Sequence, residues 1–313
     1  MPEAASLESM RQDVLAGLRG TPKRLSSKYF YDARGSKLFE QITRTPEYYL
    51  TRVECDMLRA RGTELAAAIG PRAHVVEYGS GSGDKTRLLL RALDDVVAYT
   101  PVEISRSALA DSVGQLAREF PDLEMLPLPG DFQRTPPLPR PRRAARRRLL
   151  FFPGSTIGNF RQEVAVALLR AMHATLGADG VSLIGFDLIK DPAVIEAAYN
   201  DSAGITAEFT LNLLLRLNRE LDADFDLGGF AHHARYETEL RRIETALVSR
   251  RTQQVRVGAE SFYFADGEPI EVEISQKYDD GMIAELASAA GLRVVAAWNG
   301  PRDWFGLRLL GTK

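Results

Sequence analysis

Apolar positions change rhythm twice along this chain. Over residues 1–70 they recur at helical spacing, in Ser36–Ile42 and again in Arg52–Ala68. A proline-bearing aromatic connector, TPEYYLT, lies between the two. The first residues, MPEAASLESMRQDVLAGL, carry an amphipathic helix pattern. From His74 short apolar runs alternate with helical segments. AHVVEY precedes DKTRLLLRAL, and VVAYTPVEI precedes SALADSVGQLAREF. LEMLPL and a loop follow, then RRLLFFPG, VAVALLRAMHATL and VSLIGFDLI. Apolar strands alternating with helices predict an α/β fold built on a parallel, doubly wound sheet. The alternation stops near Lys190. Residues 191–245 read as largely helical, and 246–276 as strands in which apolar and polar positions alternate. A helix, GMIAELASAAG, and two strands, LRVVAAWNG and DWFGLRLLGT, complete the pattern.

A chain of 313 residues fits two domains, or one with a large insertion. The rhythm places one of them at 57–190 and 277–313. The other combines 1–56 with an insertion at 191–276. A cleft between lobes is the expected place for a ligand.

Hydrophobic residues make up 45% and charged residues 26%, as in soluble globular proteins. Lys and Arg number 40 against 42 Asp and Glu, a net charge of −2. That balance provides no global basic field for nucleic acid. The cluster Arg140, Arg142, Arg143, Arg146, Arg147 and Arg148 has no interleaved aromatics and reads as a solvated loop before a strand. Apolar runs fall far short of the roughly 20 residues of a membrane span. No basic segment precedes an apolar core near the N-terminus, so no signal peptide is expected. The one cysteine, Cys55, cannot form an internal disulfide and reads as packing in a cytoplasmic protein. His74, His173, His232 and His233 show no metal-ligand spacing, and the adjacent pair reads as surface. No metal is expected. Asp187 and Asp191 read as cleft residues, with a helix N-cap as the other reading of Asp191, and Trp298 and Trp304 read as core or domain contacts. A monomer acting on a small molecule is expected.

The sharpest local signal is VVEYGSGSGDKT, residues 75–86, between a strand and a helix. Three chemistries compete for it. A dinucleotide fingerprint needs its third glycine at Asp84. A P-loop accepts Gly79, Lys85 and Thr86, but Asp84 again replaces a glycine, and a carboxylate there repels a triphosphate. Glu-x-Gly-x-Gly-x-Gly, with Glu77, Gly79, Gly81 and Gly83, is typical of S-adenosylmethionine-dependent methyltransferases. An acid at the end of the next strand then holds the ribose diol, and Glu103 stands there. Asp131 and Phe132 follow the third strand, where an acid and a ring suit adenine. A plain glycine turn among surface acids is the remaining reading of the loop alone.

The segments YFYDARGSKLFEQITRTPEYYLTR, EYGSGSGDKT, GSTIGNF, FDLIKD, YNDSAGITAEF, NRELDADFDL and EISQKY occur in this order. Together they resemble the histidine-specific N-alpha-methyltransferase family of ergothioneine biosynthesis, from about Lys23 onward. The resemblance implies a Rossmann-like class I methyltransferase sheet with a second, substrate-binding lobe formed by the N-terminal region and an insertion. It implies trimethylation of the histidine α-amino group to hercynine, with S-adenosylmethionine as cofactor. For that cofactor it points to Tyr31, Gly79, Gly81, Lys85, Glu103, Asp131 and Phe132. The ribose acid is commonly Asp in the family; here it is Glu103. For the amino-acid carboxylate it points to Asn159 and Tyr199, neutral donors that need no arginine. For the imidazole it points to Tyr48, Glu273 and Ser275. Tyr31 and Phe39 line the space around the amino group, beside the Gly154 backbone. Tyr31, Asn159 and Tyr199 are the residues it places in catalysis. Some family members have Met where this chain has Thr245, in the side-chain end of the pocket. A relative acting on a tryptophan derivative lacks the acid present here as Glu273. Other readings are a methyltransferase for another amino acid or aromatic amine, and a P-loop-like nucleotide-binding protein.

Methyl transfer from a sulfonium needs alignment more than a metal or a covalent intermediate. A trimethylated ammonium makes no hydrogen bond, and the faces of Tyr31, Phe39 and Tyr48 suit it.

Overall fold

The computed structural model describes residues 2–79, 81, 83–103, 106–131 and 137–312. In chain order it begins with α1 (Pro2–Arg19), β1 (Lys23–Arg24), α2 (Ala33–Ile42), α3 (Tyr49–Ala60) and α4 (Gly62–Ile69). Next come β2 (Ala73–Tyr78), α5 (Asp84–Ala92), β3 (Ala98–Glu103), α6 (Arg106–Glu119), β4 (Glu124–Met125) and β5 (Leu128–Pro129). β6 (Arg147–Phe152), α7 (Gln162–Leu176), β7 (Val181–Asp187), α8 (Pro192–Ala197) and α9 (Ile205–Leu221) follow. The remaining elements are β8 (Phe230–Glu237), β9 (Arg242–Ser249), β10 (Gln253–Val257), β11 (Glu260–Phe264), β12 (Pro269–Gln276), α10 (Asp280–Ala289), β13 (Leu292–Asn299) and β14 (Phe305–Thr312). These elements form two compact units, residues 1–49 with 191–275, and residues 50–190 with 276–313. The second unit takes in nearly all of α3 and begins at Leu50 rather than at residue 57.

The second unit is built on a sheet of order β13-β14-β7-β6-β2-β3-β4, with β5 also on β3. β2 pairs in parallel with β3 on one side and β6 on the other. β6 and β7 are parallel, while β14 runs antiparallel to both β7 and β13. Every residue of β2 and β7 is buried, which explains their unbroken apolar runs. Ile157, Leu169 and Met172 join Val76, Leu150 and Ile184 of the strands, with Ile283 and Leu286 of α10, in one core cluster. Strand order reverses between β2 and β6. In such sheets ligands bind at this switch point, outside the carboxyl ends of the strands.

The first unit carries a sheet of order β1-β12-β9-β8 and a separate β10-β11 hairpin. α9 packs against α2 and β8. Asp32 caps α2 by accepting from Gly35 N–H at 2.7 Å. Asp191 caps α8 by accepting from Ala193 N–H at 2.9 Å, with Pro192 at the first helical position.

Three sequence expectations are corrected. Residues 191–245 are not helical throughout, because the helices end at Leu221 and β8 begins at Phe230. Pairing with β9 in antiparallel register makes FAHHARYE a strand despite its polar residues. The helical stretch Arg52–Ala68 is two helices divided at Arg61. LEMLPL is two short pairings on β3, interrupted at Pro127, whose ring nitrogen donates no hydrogen bond.

The arginine cluster is spent largely on the fold. Arg147 donates to the carbonyls of Ala68 and Ile69 at the end of α4, and Arg148 to Thr175 in the last turn of α7. Arg143 pairs with Asp95 at 2.8 Å.

Candidate active site

The switch point in the second unit is lined by two loops. The first leaves β2 through Gly79, Gly81 and Gly83, at φ of 75°, 49° and 75°. L side chains rarely adopt such angles, so the backbone itself requires glycine. A Cβ at Gly79 or Gly81 would meet nothing within 4 Å, which leaves the loop's backbone open to a ligand. The second loop leaves β6 through Gly154 and Ser155, at φ of 78° and 55°. The Ser155 hydroxyl oxygen accepts from Asp187 N–H at 2.9 Å. A single turn, Thr156–Asn159, follows and places half-buried Asn159 at its end.

Lys85 lies in the first turn of α5. Its Nζ is 2.6 Å from the buried carboxylate of Glu54, which also accepts from Gly154 N–H at 2.8 Å. Sequence reasoning missed Glu54, and it finds the Gly154 N–H already committed. Glu103 is half-buried at the end of β3, and Asp131 half-buried after β5. Phe132 lies outside the described residues.

Glu77 is the buried penultimate residue of β2. Thr86 Oγ1 donates to it at 2.7 Å and Tyr99 Oη at 2.5 Å. Burial pushes its carboxyl up to about 7 against the pull of those hydrogen bonds. His74 is buried on the same strand, with Nε2 2.8 Å from Thr100 Oγ1. Burial, reinforced by Arg148, pushes His74 down to about 4. An unfolded histidine titrates near 6.5. The neutral native ring therefore contributes stability above pH 6.5 that is lost as pH falls toward 4. Between pH 7 and pH 4.5 the protein is expected to lose about 2–3 kcal/mol relative to its His74→Gln variant. Urea unfolding at both pH values checks this, and a pH-independent difference refutes it.

The first unit groups the other candidates. Tyr31 follows a short turn over Ser27–Phe30 and is 39% exposed. Its ring lies 5.7 Å from Phe39 and 5.6 Å from Phe209, edge-on to both. Phe39 stands 6.1 Å from Tyr48, again edge-on. Phe209, on α9, joins this aromatic group without a local sequence signal. Tyr199 Oη donates to Ser275 Oγ at 2.7 Å, with both residues buried. Glu273 is half-buried two positions before Ser275 on β12, on the same face of the strand. Thr245 is buried in β9 opposite Ala234, and its hydroxyl finds no partner.

His232 is not a surface residue. It is half-buried on β8, with Nε2 2.9 Å from the Tyr199 carbonyl and Nδ1 3.0 Å from Thr210 Oγ1. Burial pushes its pKa down, and its Nε2–H donates to the Tyr199 carbonyl. His233 is exposed. Among the described residues no group of three or more His, Cys, Asp or Glu could hold a metal ion. Among the described residues no helix is long and apolar enough to cross a membrane.

Residues 10–312 match the family model described as histidine-specific methyltransferase, SAM-dependent. The chain belongs to that family. It is 42% identical to a histidine N-alpha-methyltransferase of Mycolicibacterium smegmatis, over 97% of this chain and 95% of the relative. It is 40% identical to one of Mycobacterium tuberculosis, over 98% of this chain and 96% of the relative. The ergothioneine biosynthesis protein 1 of Neurospora crassa is 32% identical over 92% of this chain, which spans 33% of that longer protein. Family and topology together make this a Rossmann-like class I fold and an S-adenosylmethionine-dependent N-methyltransferase. The glycine loop suits that cofactor. Its backbone is open at Gly79 and Gly81.

Proposed function

We propose that the substrate is L-histidine and that its α-amino group is methylated three times, giving hercynine, the first step toward ergothioneine. The observation carrying this reading is the Tyr199–Ser275 hydrogen bond, two positions along β12 from Glu273. It joins a donor suited to a carboxylate to the pair suited to an imidazole.

Bound S-adenosylmethionine supplies a methyl on a cationic sulfur, already activated for displacement. Glu103 would accept from the ribose hydroxyls of the cofactor and Asp131 from its adenine amino group, and Lys85 with the Gly79 and Gly81 backbone would hold the rest. Asn159 donates to the histidine carboxylate, and Tyr199 turns its one hydroxyl proton from Ser275 to that carboxylate when the substrate binds. Glu273 accepts from the imidazole N–H, and Ser275 and Tyr48 fix the ring. The amino group must be neutral to attack, and its proton leaves to water at the Tyr31 hydroxyl. Tyr31 orients that water. The faces of Tyr31, Phe39 and Tyr48 suit the growing quaternary ammonium. The enzyme works as a monomer in the cytoplasm.

Incubation with S-adenosylmethionine and each of the twenty amino acids, read by mass spectrometry, tests the reading. Gain of three methyls on histidine alone is expected. Methylation of another amino acid, or a halt at one methyl, overturns the substrate or the extent.

A further inference from the structure

Glu54 is a buried carboxylate at the switch point of the second unit. One oxygen, Oε2, takes both Lys85 Nζ at 2.6 Å and Gly154 N–H at 2.8 Å. These partners come from the first turn of α5, which follows the β2 loop, and from the loop that leaves β6. The other oxygen, Oε1, has no hydrogen-bond partner. The fold makes room for it at Gly185 in β7, where a Cβ would come within 2.5 Å of Oε1. Gly154 serves the same cluster, because a Cβ there would stand 3.3 Å from Lys85 Nζ. Lysine is a flexible stem with a point charge, and alone it fixes nothing. Here a buried counter-charge sets where the ammonium stands and which way the Gly154 peptide faces.

We propose that Glu54 is a positioning residue for cofactor binding, acting through the Lys85 ammonium. It rests on the assignment of Lys85 to the cofactor. It also fixes the charge of the site. The Glu54–Lys85 pair is neutral, so a cationic sulfonium meets no net repulsion from it. Without the carboxylate the lysine charge stands uncompensated. S-Adenosylmethionine carries the sulfonium, and S-adenosylhomocysteine does not. Losing Glu54 therefore weakens the first ligand more than the second.

Calorimetry on the full chain with both ligands tests this. In Glu54→Gln the Kd for S-adenosylmethionine is expected to rise about tenfold, and that for S-adenosylhomocysteine by about threefold or less. A packing defect alone would weaken both alike, so equal losses, or none, overturn the proposal. Lys85→Met separates the proposal from its premise. If Lys85→Met binds S-adenosylmethionine as the parent does, the assignment of Lys85 falls, and the proposal with it. If Lys85→Met weakens binding and Glu54→Gln does not, the proposal alone falls. Should Glu54→Gln fail to fold, the double variant decides, because it strands no buried charge. Affinity matching that of Lys85→Met supports action through the lysine, and a further tenfold loss overturns it. None of these readouts involves histidine, so they stand apart from the substrate assignment.

Discussion

A Glu273→Ala variant is expected to bind S-adenosylmethionine as the parent does and histidine about a hundredfold more weakly. The carboxylate is the one charged group among those assigned to the imidazole, and it stands on β12 beside Ser275. A hydrogen bond to a charged acceptor contributes about 1.5–3 kcal/mol, roughly ten- to more than a hundredfold in affinity. The upper part of that range applies because Glu273 is half-buried and less screened than a surface acid. Glu273→Gln keeps an acceptor and loses the charge, so its affinity should fall between the two. Substrate selection follows from the same group. An amino acid without a ring N–H leaves the carboxylate desolvated and unmatched, a penalty that rejects it more strongly than a missing methylene would. Protonated imidazole pairs better still, so the advantage of the parent over Glu273→Ala widens as pH falls through about 6.5. Calorimetric titration with histidine measures the parent and both variants, and unchanged affinity in Glu273→Ala removes Glu273 from the site.

How much of this was legible in the sequence depended on whether the deciding contacts were local. AHVVEY and VSLIGFD read as strands because parallel strands buried on both faces are apolar throughout. The glycine loop was legible because positive φ at 79, 81 and 83 demands glycine whatever surrounds it. FAHHARYE was not, since its strand state is set by pairing with β9 and its histidine is turned toward the Tyr199 carbonyl. Glu54 was silent for the same reason. In sequence it is one acid in a helix, and its Gly154 partner lies 100 residues away. Phe209 joins the aromatic group only because α9 packs against α2.

Asp187→Asn is expected to be the most destabilising single substitution considered, at about 3–5 kcal/mol. Asp187 ends β7 with its carboxylate fully buried. Oδ1 takes Lys190 Nζ at 2.6 Å, and Oδ2 takes Lys277 Nζ at 2.8 Å. Both lysines are buried as well. Burial alone would raise the carboxyl; Lys277 and then Lys190 outweigh it and hold it below the usual carboxylate range. Removing the charge leaves two buried ammonium groups without their shared carboxylate. The site also carries the backbone. Asp187 C=O accepts from Tyr278 N–H at 3.0 Å, and Ile189 N–H donates to Tyr278 C=O at 2.9 Å. These bonds pair the segment that leaves this unit at Lys190 with the one that returns at Gln276. The triad locks that pairing, so its loss should be felt as global instability. At 2–4 °C per kcal/mol, the unfolding midpoint at pH 7 is expected to drop by roughly 10 °C. The lowered pKa fixes the pH window. The contribution is full above the unfolded carboxyl value near 3.9 and is lost as pH falls through the lower native value, so parent and variant converge only in acid. Adding Lys277→Met to Asp187→Asn should recover part of the loss, because one stranded charge is removed with its stem replaced by apolar volume. Equal midpoints for parent and Asp187→Asn at pH 7 would mean that the two lysines are held by other partners, and that the paired segments stand without the carboxylate between them.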